Sequence, residues 1–159
     1  MANKKAILWG CSAALFVALV GVIVVVLFVV HVSKNVEGVA VSVNTPSDVT
    51  VGQTFQLEVV IKNVRPRKAL KLSDVDISDK YLSGFSVVSA VPPHKSSMHV
   101  PMDNSQSFTF DISLPAGAST NIVFNLRAEK AGLFRGDVDV CEGTRFITDM
   151  AQTVVKEKQ

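Results

Sequence analysis

Phe108-Thr109-Phe110-Asp111-Ile112-Ser113-Leu114 is followed, across Pro115-Ala116-Gly117-Ala118-Ser119-Thr120, by Ile122-Val123-Phe124-Asn125-Leu126-Arg127. In both arms the large apolar side chains fall on every second residue and the alternate positions are mostly polar. That period of two is the signature of a strand with one buried face. The Pro-x-Gly link between the arms is short and turn-forming, so the two strands follow one another antiparallel.

The same period runs outward in both directions. Val39, Val41 and Val43 alternate with Ala40 and Ser42 before Thr45-Pro46-Ser47-Asp48 breaks the run. Phe55, Leu57, Val59 and Ile61 alternate after a Val51-Gly52-Gln53 turn. Leu72, Val75 and Ile77 mark a less regular strand within Leu70–Ser78, and Phe85–Ala90 is a further strand ended by Pro92-Pro93. Val138 and Val140 alternate with Asp137 and Asp139, and a last strand covers Phe146 to Val155. Seven to eight short strands with one apolar face each, and no convincing helix between them, imply two antiparallel sheets packed face to face. The expected fold of residues 38–159 is an all-β Ig-like sandwich. Seven of the nine Phe fall in this stretch, against one Tyr, and supply large core side chains that bring no polar group needing a partner.

Two stretches carry a family resemblance. Val49-Thr50-Val51-Gly52-Gln53-Thr54-Phe55-Gln56-Leu57-Glu58-Val59-Val60-Ile61-Lys62-Asn63 resembles the second strand of bacterial Ig-like modules of the CARDB type. So does Leu114–Thr120 running into Ile122–Ala128 and Ala131-Gly132-Leu133-Phe134. The resemblance covers roughly residues 38–141 and implies the sandwich fold. Such modules are mostly non-catalytic spacers, adhesion units or docking domains, so it implies no particular role.

Upstream, the pattern is continuous rather than alternating. Ala6 to Val32 is a run of 27 residues whose one ionisable side chain is His31. A helix of that length spans roughly 40 Å against a hydrocarbon core of ~30 Å. The run is about twice a signal-peptide core, and no small-x-small cleavage site follows it. The expected organisation is a cytoplasmic head (1–5), a transmembrane signal-anchor helix (6–32), a short tether (33–37) and the sandwich (38–159). Lys4 and Lys5 precede the run, and all 14 Asp and Glu follow it. The positive-inside bias puts the N-terminus in the cytoplasm and the sandwich on the periplasmic side of the cell membrane. Gly10, Ala14 and Ala18, with Gly21 beside them, form a small-residue stripe on which another membrane helix could pack closely.

Composition narrows the function classes. Of 16 Lys and Arg, two precede the run, leaving 14 against 14 acids beyond it. An outer domain of zero net charge argues against nucleic-acid binding. A mean hydropathy of +0.33 fits one span and one domain. Cys11 and Cys141 make no disulfide scaffold, and Cys141 is expected to be a free, buried thiol. There is no Gly-x-Ser-x-Gly, Cys-x-x-Cys, His-Glu-x-x-His or phosphate-cradling loop, so no enzyme is expected.

Three clusters remain. Pro92-Pro93-His94-Lys95-Ser96-Ser97-Met98-His99-Val100-Pro101-Met102 reads as a proline-bracketed loop, and His94, Met98, His99 and Met102 make it a candidate for partner contact or for copper. Arg65, Arg67 and Lys68 form a basic turn able to meet anionic headgroups or an acidic partner. Asp74, Asp76, Asp79, Asp137, Asp139 and Glu142 read as solvated strand faces rather than a calcium site, which needs six to eight converging oxygens. The leading expectation is an accessory subunit of a larger membrane protein complex, touching other subunits through the helix and the Ig-like domain, with no cofactor. The rivals are a membrane-anchored copper-binding or electron-transfer protein and a cell-surface adhesion module. For the last, an exposed row of aromatics is the feature to look for, and Tyr81 is the only Tyr or Trp outside the apolar run.

Overall fold

The computed structural model describes residues 17–27 and 36–158. The chain divides into two compact units, one ending at Lys34 and one beginning at Asn35. In the first, residues 17–27 are helical (α1) with every side chain exposed. No helix among the described residues is long and apolar enough to cross a membrane. Residues 6–16 and 28–32 of the expected span, with Gly10 and Ala14, lie outside the described residues. Ala18 and Gly21 lie within α1, and nothing stands within 4 Å of where a Gly21 Cβ would be.

The second unit is an Ig-like β-sandwich of ten strands: β1 (Val39–Asn44), β2 (Asp48–Thr50), β3 (Thr54–Asn63), β4 (Leu70–Ser78), β5 (Phe85–Val91), β6 (Ser96–Val100), β7 (Ser105–Leu114), β8 (Ser119–Ala128), β9 (Gly132–Glu142) and β10 (Arg145–Lys156). One short helix, α2 (Asp79–Leu82), follows β4. A four-stranded sheet has the order β1-β3-β8-β5, and a six-stranded sheet β2-β10-β9-β4-β7-β6. All pairings are antiparallel except β2 with β10.

The period-two residues are the ones that meet. Phe55, Leu57, Val59 and Ile61 of β3 and Ile122, Phe124, Leu126 and Ala128 of β8 are all buried. Facing them are Leu70, Leu72, Val75 and Ile77 of β4, Phe108, Phe110 and Leu114 of β7, and Val138 and Val140 of β9. Each large side chain moved out of water in this way contributes ~1.5–3 kcal/mol before the entropy of ordering it. The Phe108 and Phe124 rings bridge the layers at 5.0 Å, and on the four-stranded sheet Phe55 meets Phe85 at 5.1 Å.

Three departures from the sequence reading have physical causes. The irregular stretch of β4 faces a bulge: Leu72 pairs with Ile112 but Asp74 with Thr109, and Asp111 absorbs the extra residue at φ +52°. β2 is only three residues long and pairs parallel with β10, too short to show a period. The segment around Met98, expected to be a loop, is strand β6, exposed along nearly its whole length. An edge strand covered on neither face has no apolar alternation to reveal it. At the entry to the sandwich, Val36 is already buried and donates its N–H to the Phe146 carbonyl at 3.3 Å, so the packed part begins ahead of Val39.

Candidate functional site

Two places on the sandwich gather the residues singled out in the sequence. The first is the flank where both sheets end. β6 pairs with β7 alone, and β5 with β8 alone. Between them, Val87 of β5, Ser97 of β6, Gln106 and Phe108 of β7, Asp79 and Leu82 of α2, and His94 line an open cleft of about 370 Å³.

β6 lies at the edge because Pro92-Pro93 end β5 and the chain crosses there from one sheet to the other. His94 enters the cleft with its ring edge-on to Phe108 at 5.3 Å and to Phe110 at 6.5 Å. Its Nδ1 is buried without a hydrogen-bond partner. On β6, Ser97 and His99 share one face, and His99 Nδ1 stands 3.6 Å from Asp79 Oδ2. Met98 lies on the opposite face by the alternation of the strand and is 66% exposed. Met102, in the turn before β7, is 93% exposed. The structure therefore brings His94 and His99 to one flank but turns Met98 away from both. Among the described residues no three His, Cys, Asp or Glu side chains are grouped to hold a metal ion. Tyr81 is fully buried, so no exposed tyrosine lines this flank.

The second place is the end of the sandwich where the chain enters at Val36. Here the loop 64–69 joins β3 to β4 and lies beside the β9–β10 hairpin. Arg65 is drawn inward: Nη1 and Nη2 donate to Glu142 Oε1 and Oε2 at 2.9 and 2.8 Å, and Nε donates to the Glu37 carbonyl at 2.9 Å. This two-pronged bond raises the Arg65 pKa and holds Glu142 down at about 2, the Lys71 N–H and Arg145 adding to the effect on Glu142. Fully buried Asn63 braces the same loop. Its Nδ2 sits 2.9–3.0 Å from the carbonyl oxygens of Lys68, Leu114 and Pro115, and its Oδ1 accepts from the Arg65 N–H. Arg67 and Lys68 remain exposed. With Glu37, Gly38, Val64, Pro66 and Arg145 they line an open cleft of about 460 Å³. Arg65 is thus a structural member of the basic turn rather than a free contact. Arg145, which the sequence reading passed over, completes the cluster. It lies 80 residues away from Arg65, and no local pattern could have joined them.

The acids divide as well. Asp76 and Asp139 face one another across β4 and β9, and burial pushes both carboxyls up from the usual range, against the solvated faces expected. Asp76 Oδ1 is buried without a partner, while its Oδ2 accepts from the Cys141 thiol at 3.5 Å. Cys141 is free and buried, and burial beside these carboxylates drives its pKa far up, which leaves it a poor nucleophile.

No family model matches the chain. No curated protein matches it in sequence. Among solved structures, a cohesin module from a Clostridium perfringens family 33 glycoside hydrolase superposes with a TM-score of 0.54 at 13% identity, over 79% of this chain and 100% of that one. AvmM, which catalyses macrocyclisation in alchivemycin A biosynthesis, superposes with a TM-score of 0.52 at 12% identity, over 80% and 93%. A CARDB domain from Pyrococcus furiosus, in complex with di-metal ions, reaches a TM-score of 0.47 at 16% identity, too loose to add to the other two. At these identities the likeness concerns architecture, and a module of a glycoside hydrolase and a macrocyclisation catalyst share it. The residues 36–158 adopt an Ig-like β-sandwich fold.

Proposed function

We propose that the chain is a non-catalytic, single-pass accessory subunit of a larger membrane protein complex. In this reading residues 6–32 hold it in the cell membrane and the sandwich stands on the periplasmic face, where the β6 edge takes an extended segment of a neighbouring subunit. The observation that carries the reading is that edge. Ser96–Val100 is paired on one side only, so half of its backbone N–H and C=O groups face outward. Neither proline nor a Lys, Arg, Asp or Glu side chain guards the five residues themselves; Lys95 and Pro101 stand just outside them. A strand added there would bring alternate side chains over the cleft floored by Phe108 and walled by Leu82 and Val87. Main-chain pairing with side-chain pockets beside it is how β-addition combines affinity with specificity. The Ig-like fold is consistent with an interaction or adhesion module, and the exposed Met98 and Met102 supply adaptable apolar contact.

The test is purification of the tagged full-length chain in mild detergent, with co-purifying subunits identified. Stoichiometric partners that are lost with Met98→Asp or Ser97→Pro but retained with Gly117→Asn support the reading. Ala18→Leu tests whether the helix contributes to the same contact. A chain that purifies alone, or with partners indifferent to β6, overturns it.

A further inference from the structure

We propose that the end of the sandwich carrying Arg67, Lys68 and Arg145 docks on anionic phospholipid headgroups, so that the domain meets the bilayer by this end. The inference rests on the anchored reading above and adds which end faces the membrane and what chemistry holds it. Chain connectivity is the first observation. Val36 is packed into this end, Val64 N–H donates to the Gly38 carbonyl at 3.0 Å, and Arg65 grips the Glu37 carbonyl. From residue 32, where the expected span stops, four Cα steps to Val36 reach at most ~14 Å. The end that receives the chain is therefore the one held nearest the headgroups.

Charge is the second observation. Arg65, Arg67, Lys68 and Arg145 gather here against Glu37 and Glu142. Glu142 is taken up by Arg65 and Arg145. Among the described residues, no carboxylate lies within ion-pair distance of Arg67 or Lys68. A domain neutral in total thus presents unpaired cations at the end its chain enters by.

Presentation is the third. The loop bearing Arg67 and Lys68 is clamped at its base by the Arg65–Glu142 pair and by Asn63, so two exposed cations are displayed on a braced backbone. Val64 (52% exposed) stands in the same loop and Phe146 (47% exposed) on the neighbouring hairpin. Both are apolar side chains suited to the headgroup boundary.

The experiment reconstitutes the full chain in nanodiscs of phosphatidylcholine alone or mixed with phosphatidylglycerol, and follows hydrogen exchange in segments 64–69 and 143–145. Anionic lipid is expected to slow exchange there by about five-fold for each cation engaged, and raised salt to reverse it. The double variant Arg67→Gln/Lys68→Gln should exchange alike in both lipids while β3 and β8 keep their protection. Equal exchange of the unaltered chain in neutral and anionic discs overturns the proposal alone and leaves the basic end to an acidic protein surface. A chain washed off neutral bilayers at alkaline pH overturns the anchored reading, and this inference with it.

Discussion

Arg65 and Glu142 meet in a two-pronged ion pair, Nη2 to Oε2 at 2.8 Å, with only 10% and 11% of their side chains exposed. The pair fastens the β3–β4 loop to the end of β9, and through the Glu37 carbonyl it also fastens the strand entering the domain. A charge removed from such a pair leaves its partner desolvated and alone. Arg65→Ala is therefore expected to lower unfolding stability by about 3 kcal/mol. Arg65→Lys should recover only part of this, because an ammonium cannot make the fork. Urea unfolding followed by circular dichroism measures both; equal stability of Arg65→Ala and the unaltered chain would remove the clamp from the argument.

The same pair gives the domain an acid limit. The carboxyl of Glu142 is held at about 2, below its ordinary 4.5. A lowered folded-state pKa contributes stability that is complete above the unfolded value and is lost as pH falls through the folded one. The loss should fall between about pH 4.5 and 2. Glu142→Gln should be less stable at neutral pH and should flatten that stretch of the curve. Thermal melts across the acid range test it, and a variant with an unchanged slope would contradict it.

Asp76 acts in the opposite direction. Its Oδ1 is buried without a partner, Asp139 faces it across the strands, and burial raises its pKa. A carboxyl raised in the folded state favours folding at low pH and loses that contribution as pH rises through its folded value. Asp76→Asn is expected to raise the melting temperature at pH 7 and to make little difference below the ordinary aspartate range. A destabilised variant at pH 7 would show that the carboxylate is satisfied in solution.

What the sequence revealed and what it hid follow from the range of each interaction. The period of two in β3, β7 and β8 identified Phe55 to Ile61, Phe108, Phe110 and Ile122 to Leu126 as core, because one buried face leaves a local imprint. β6 left none, since both its faces meet solvent, and its His and Met residues looked like a loop for that reason. Arg65, Arg67 and Lys68 were visible as a basic turn. Their division into one clamp and two free cations depended on Glu142, 77 residues away. Asp76 and Asp139 looked solvated because alternation cannot tell an exposed face from one crowded by neighbouring strands. Legibility ended where a residue's role was set by a partner distant in the chain.

Tyr81 is such a case, and it yields the last prediction. It is the only tyrosine, and it lies fully buried with its hydroxyl 3.0 Å from Thr153 Oγ1 and 3.1 Å from Thr45 Oγ1. Thr45 and Thr153 are themselves 2.9 Å apart, which closes a triangle of hydroxyls linking the β1–β2 turn, α2 and β10. Removing the Tyr81 hydroxyl leaves the two threonines paired with each other, so Tyr81→Phe should cost about 1 kcal/mol. Thr153→Val replaces a fully buried hydroxyl by a methyl set against both remaining hydroxyls, and should cost more. The double variant should cost less than the two singles added together, because the Tyr81–Thr153 hydrogen bond is lost in each single and would be counted twice. Additive losses in a double-mutant cycle would mean that the three hydroxyls act separately, each satisfied by its own neighbour rather than by the triangle.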